Sequence, residues 1–181
     1  MTNKMTTREL TLAALFVAIT AVCSQIVVPM PLVPFNLAVM AVFLCGGLLP
    51  KGAALLSLLS YLLLGAVGAP VFAQFSGGPS VLFGMTGGYL IAYPVMAWMV
   101  ALLTERWAGA SFWKRVVAAL IPCYLFGTAW FAVYLHKGFW EAAMAACIPF
   151  IPVDFCKALA ASYLSLAVQR RLGVREKSKA A

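Results

Sequence analysis

Six stretches of this chain are nearly unbroken runs of apolar residues, roughly 10–28, 35–49, 52–68, 86–103, 115–135 and 153–172. Each holds about 15 to 21 residues, close to what a helix needs to cross a hydrocarbon core about 30 Å thick. In lipid only a helix or a closed barrel satisfies its own backbone, so the pattern predicts an all-α membrane protein with six transmembrane helices. The run at 35–49 is short for a span and is expected to stand upright or lean on its neighbours.

The breaks have their own chemistry. Pro29, Pro31 and Pro34 cannot continue a helix and predict an extended link. Gly46, Gly47 and Pro50 mark a tight turn; Gly65, Gly68 and Pro70 end the third run; Pro149 and Pro152 precede the sixth. Residues 139–148, FWEAAMAACI, are too short to span and predict a small amphipathic helix lying at the membrane surface. No internal repeat is evident, which disfavours an inverted-repeat transporter. Residues 1–181 read as one integral membrane domain.

Composition supports lipid as the solvent. Of 181 residues, 64% are hydrophobic and 10% charged, whereas a soluble domain carries roughly 25% charged residues. The net charge of +8 does not indicate nucleic acid, because the basic residues flank the apolar runs and form no patch. Eleven of the thirteen fall on one side: Lys4, Arg8, Lys51, Arg106, Lys114, Arg115, Arg170, Arg171, Arg175, Lys177 and Lys179. Lys137 alone falls on the other side, and Lys157 lies inside the last run. The positive-inside rule then places both termini in the cytoplasm. Trp107 and Trp113 would lie at the inner interface and Trp140 at the outer one. Leu10 to Val28 is long enough to be an uncleaved first span rather than a signal peptide.

Chemistry that could act on a ligand is sparse. Asp154 and Lys157 are the only acid and base well inside an apolar run, spaced i, i+3 and so on one helix face. A charge at that depth costs about 2.5–3.5 kcal/mol on insertion scales, and a buried ion pair seldom adds net stability. A polar anchor for a small solute is favoured over a purely structural bridge. The uncharged segment 68–85, GAPVFAQFSGGPSVLFGM, carries Phe72, Phe75 and Phe83 with Gln74 and Ser76 as polar points. A loop this long and apolar, expected to lack secondary structure, predicts a lid over the outer mouth of the bundle. TGGYL, opening with Thr86, puts Gly87 and Gly88 where backbone approaches a neighbour or a ligand, and Tyr89 where a ring can stack. Ala14 and Ala18 form a small-xxx-small pair, suited to helix packing or to docking another membrane subunit. The five cysteines are scattered among apolar residues and read as small hydrophobes, so no metal site is expected. No G-x-x-x-x-G-K-[ST] loop occurs, so ATP energy would have to come from another chain.

GAVGAPVFAQFSGGPSVLFGMTGGYL, residues 65–90, closely resembles the signature of the BioY family, the substrate-binding S components of energy-coupling-factor biotin transporters. PFIPVDFCKALAA, residues 149–161, is similar to the family's second motif, and VPFNL, 33–37, to its first outer-loop motif. The resemblance covers nearly the whole chain. The chain departs from the usual family pattern at Met85, Val153, Asn36 and Ala38.

The resemblance implies a biotin pocket near the outer face of a multi-pass protein in the bacterial cytoplasmic membrane, with biotin as the transported ligand and no cofactor. It implies a membrane coupling subunit docking at Ala14 and Ala18, with ATPase subunits supplied by other chains. Asp154 would accept a ureido N–H of biotin, with Lys157 and Gln74 at the ureido oxygen or the other N–H. Lys157 on the biotin carboxylate is the rival pose. Phe72, Phe75 and Tyr89 would enclose the apolar parts, and Ser76, Thr86 and Asn36 complete the expected set. Rival readings are an S component for another vitamin, an intramembrane enzyme, for which no nucleophile–base pair is found, and a purely structural subunit, which leaves the cost of Asp154 and Lys157 unexplained.

Overall fold

The computed structural model describes residues 5–28, 35–107 and 111–172. The Pro29–Pro34 link, the start of the VPFNL segment, and Lys4, Arg175, Lys177 and Lys179 lie outside them.

Helix α1 spans Thr7–Gln25. It begins before the expected residue 10 because Thr6 and Glu9 form a capping box: Thr6 N–H donates to Glu9 Oε2 at 2.8 Å, and Glu9 N–H to Thr6 Oγ1 at 3.3 Å. It stops before residue 28 because the β-branched pair Val27–Val28 leaves the helix as strand β1. That strand pairs antiparallel with β2, Phe35–Asn36. The remaining helices are α2 (Ala38–Leu48), α3 (Lys51–Ala66), α4 (Pro79–Leu82), α5 (Gly87–Arg106), α6 (Phe112–Leu135), α7 (Phe139–Ala146) and α8 (Ile151–Leu172).

Each predicted apolar run contains a helix. Among the described residues four helical stretches are long and apolar enough to cross a membrane: α1, α5, α6 and the stretch Phe139–Arg171 that contains α8. With 11 and 16 residues, α2 and α3 reach only ~16 and ~24 Å at 1.5 Å per residue. Helix α2 can be short because protein surrounds it. It packs on α5, α8, α1 and α3, and Ala41, Val42, Phe43 and Cys45 are wholly buried.

Small residues recur through the interior beside a few large rings such as Phe43, Tyr61 and Phe131, while many large apolar side chains face outward. Ala53, Ala54, Ala97, Ala119, Ala158 and Ala161 are buried, while Leu15, Leu63, Val133 and Tyr163 are exposed. In lipid nothing drives large hydrophobes inward, and small residues let backbones pack closely. The α5–α6 contact shows this reciprocally: Gly88 seats Trp130, and Gly127 seats the Tyr89 ring, each with no room for a Cβ. Gly88 therefore serves helix packing.

The segment expected to be an unstructured loop is folded. It contains a turn at Ala73–Phe75, an isolated bridge between Phe72 and Ser76, and α4. The short helix expected at 139–148 is α7, with Ala142 and Ala146 packed on Phe131 of α6 and Trp140 exposed. At the opposite end of the bundle Lys51 Nζ meets Glu105 Oε2 at 3.0 Å, tying the start of α3 to the end of α5.

Candidate functional site

A cavity of about 200 Å3 lies toward the end where α3 finishes and α5 and α8 begin. Its lining comes from β2, from α2 to α8, and from the segment between α3 and α4. Space on this scale holds roughly a dozen waters, or one small ligand. The walls are mostly apolar and aromatic, with few polar groups, as is usual for a small-molecule site.

The charged groups gather on one wall. Asp154 lies in the first turn of α8, where the helix dipole favours an anion. One turn on, Lys157 Nζ donates to Asp154 Oδ1 at 2.9 Å. From α6, Tyr124 O–H donates to Asp154 Oδ2 at 2.5 Å. Asp154 is 5% and Lys157 6% exposed, and both line the cavity. The carboxylate is thus fixed from two sides. Each of its oxygens keeps a lone pair beyond the bond described, since an ionised carboxylate offers about four acceptor sites.

The roof is the segment Ala69–Ser76. Phe72 anchors it: the ring is 1% exposed and meets Tyr61 edge-on at 5.5 Å between centroids. It sits where Gly65 leaves space; a Cβ there would lie 2.0 Å from Phe72 Cζ. Val71 carbonyl accepts from Tyr61 O–H at 3.1 Å and from Ser24 Oγ at 2.5 Å. Gln74, at the tip of the turn, lines the cavity with Phe72, Ala73 and Ser76.

Of the nine ligand residues expected from the sequence, Asp154, Lys157, Gln74, Tyr89, Phe72, Ser76, Thr86 and Asn36 line this one cavity. The ninth, Phe75, does not. Its φ of 53° turns the side chain outward, and it is 73% exposed. Phe83 is exposed as well. Several of the eight already have partners: Tyr89 O–H lies 3.1 Å from Thr128 Oγ1 and from Ala146 O, and Asn36 Oδ1 accepts Ala38 N–H at 3.1 Å. Ala14 and Ala18 lie on the exposed side of α1, away from the cavity.

The sequence reading missed Tyr124, Tyr61 and Tyr93, which also line the cavity. Their one signal was a phenol inside an apolar run, which needs a partner when buried. Gln25 and Ser24, which hold the roof from α1, gave a weaker signal still. The described residues hold no cluster of three or more metal-ligating side chains.

Comparison with known proteins gives a consistent picture. The model of the BioY family matches residues 1–174. A probable biotin transporter BioY from Pyrococcus horikoshii is 39% identical over 165 residues, covering 91% of this chain and 98% of the relative. The biotin transporter BioY of Thermotoga maritima is 35% identical, covering 90% and 96%. In structure the chain is similar to the S-component for biotin from an ECF-type ABC transporter, with a TM-score of 0.77 at 23% identity, covering 92% of this chain and 95% of that one. At that identity the likeness establishes a shared fold.

Proposed function

The chain belongs to the BioY family, and on that premise we propose that it captures biotin in the cavity beneath the 69–76 roof and presents it for import. It is a membrane transport subunit, not an enzyme. The observation that carries the site assignment is the Asp154 carboxylate, buried with Lys157 and Tyr124 as partners and facing a mostly apolar cavity.

Biotin suits such a site. Its ureido ring is a compact polar head with two N–H donors and one carbonyl, set on an apolar bicycle and chain. In the proposed pose Asp154 accepts one ureido N–H, because it is the strongest acceptor in the cavity and charged hydrogen bonds are about twice as strong as neutral ones. Lys157 and Gln74 serve the ureido oxygen and the remaining N–H. Phe72, Tyr61 and Tyr89 flank the apolar parts. The buried pair is tolerable because its charges offset one another and Tyr124 adds a hydrogen bond to the carboxylate.

The basic ends of the helices face the cytoplasm in this reading, so the cavity opens on the outer side of a bacterial cytoplasmic membrane. The exposed Ala14–Ala18 face of α1 is the proposed seat of a membrane coupling subunit. ATPase subunits on other chains drive release, since this chain carries no phosphate-binding loop of its own.

Binding of biotin and biotin methyl ester to purified wild type and Lys157→Ala tests the pose. The ureido pose predicts that wild type holds both ligands about equally and that Lys157→Ala weakens both alike. Selective loss of the ester would move Lys157 to the carboxylate. Undiminished biotin binding by both Lys157→Ala and Asp154→Asn would remove the site from this cavity.

A further inference from the structure

We propose that Gln25, the last residue of α1, is a positioning residue for ligand capture: its side-chain amide latches the turn that presents Gln74 to the cavity. Gln25 is no part of the cavity wall. Its Nε2 donates to Phe72 O at 3.0 Å, and its Oε1 accepts Phe75 N–H at 2.8 Å. One amide thus bridges both ends of the Phe72–Phe75 turn, as a backbone partner strand would.

The turn needs holding. Gln74 (φ 58°, ψ 38°) and Phe75 (φ 53°) are consecutive residues in the left-handed region, and neither is glycine. A Cβ makes that conformation unfavourable at each position, so it persists only where surroundings over-determine it. Within the turn Phe72 N–H donates to Ser76 O at 3.0 Å and Ser76 N–H to Ala73 O at 3.3 Å. Those bonds leave Phe72 O and Phe75 N–H to Gln25. The left-handed pair has a directional result: Gln74 lines the cavity while Phe75 is exposed. Without the latch, a relaxed turn would withdraw Gln74 and loosen the roof.

Where the ligand is concerned, this rests on the reading of the cavity as a biotin site; the latch itself does not. Two measurements on the full-length protein in detergent or nanodiscs separate the two. The first is amide hydrogen exchange at Phe75 in ligand-free wild type, Gln25→Met and Gln25→Glu. Methionine keeps the length of the side chain and removes both bonds, whereas glutamate keeps the acceptor for Phe75 N–H but cannot donate to Phe72 O. Faster exchange at Phe75 in Gln25→Met, by about tenfold for a lost hydrogen bond pair, with exchange across the rest of α1 unchanged, is the expected result. Unchanged exchange at Phe75, or acceleration spread along α1 with a lowered Tm, overturns the latch.

The second measurement is biotin dissociation. Gln25→Met should release biotin about tenfold faster with little change in association, the usual pattern when contacts are lost after encounter. Gln25→Glu should fall between it and wild type. An unchanged dissociation rate in Gln25→Met overturns the positioning role. If wild type itself holds no biotin, the function reading fails while the exchange result still decides the latch.

Discussion

The wall and the roof of the cavity are built on opposite principles. The wall carries its chemistry locally: Asp154 and Lys157 sit one turn apart on α8, with Tyr124 of the adjacent α6 completing the set. The roof carries no charge, and its shape is imposed from a distance. Ser24 and Gln25 hold Val71, Phe72 and Phe75 from positions 47 and 50 residues earlier in the chain. Recognition of a polar head needs strong, fixed partners, which a rigid helix supplies. Closure over a ligand needs a segment whose hold can be released, which single neutral hydrogen bonds allow. The wall should therefore govern whether ligand binds, and the roof how long it stays.

Variants can break that division, and the largest effect belongs to the wall. Asp154→Asn is expected to weaken biotin binding about 100-fold, measured by equilibrium titration, since it loses a charged acceptor worth about 1.5–3 kcal/mol. It also leaves Lys157 buried without its counter-charge, a loss of about 3–5 kcal/mol of stability. The double variant Asp154→Leu/Lys157→Met separates these consequences. An apolar pair of similar volume is often neutral or stabilising, so its Tm should match or exceed that of wild type while biotin binding is abolished. Retained binding would show that the wall is not the recognition element.

Tyr124→Phe comes next. It frees one oxygen of the carboxylate without removing the charge, and the expected loss of affinity is about tenfold. Gly65→Ala acts on the roof. Its methyl group would collide with the Phe72 ring, an overpacking cost of about 1–3 kcal/mol seen as a lower Tm. Faster biotin release should accompany it. The smallest effect is expected of Phe75→Ala, because that ring is 73% exposed and alanine keeps the backbone N–H that Gln25 holds: dissociation within about twofold of wild type. A large loss there would mean that the ring folds inward over ligand.

The same division explains what the sequence revealed. Apolar run length and the charge at the ends of runs located the helices, because lipid imposes both. The i, i+3 pair on α8 was visible because its spacing is local and its burial in an apolar run is costly. Helix α1 began earlier than expected because Thr6 and Glu9 look like polar flank until their reciprocal cap is seen. The shortness of α2 was hidden because a helix enclosed by α1, α3, α5 and α8 reads as apolar whatever its length. Nothing in the spacing of the roof segment foretold that Gln74 and Phe75 would adopt left-handed backbone, and so which of their side chains would face the cavity. Gln25 and Tyr124 were missed for a related reason: each gains its role from a partner 30 to 50 residues away.

A structure of the biotin-bound protein tests the central claim most directly. The ureido ring is expected beneath Phe72 and Gln74, with one of its nitrogens within about 3.2 Å of an Asp154 carboxylate oxygen. Biotin bound elsewhere, with Asp154 and Lys157 paired only to each other and to protein, would contradict it.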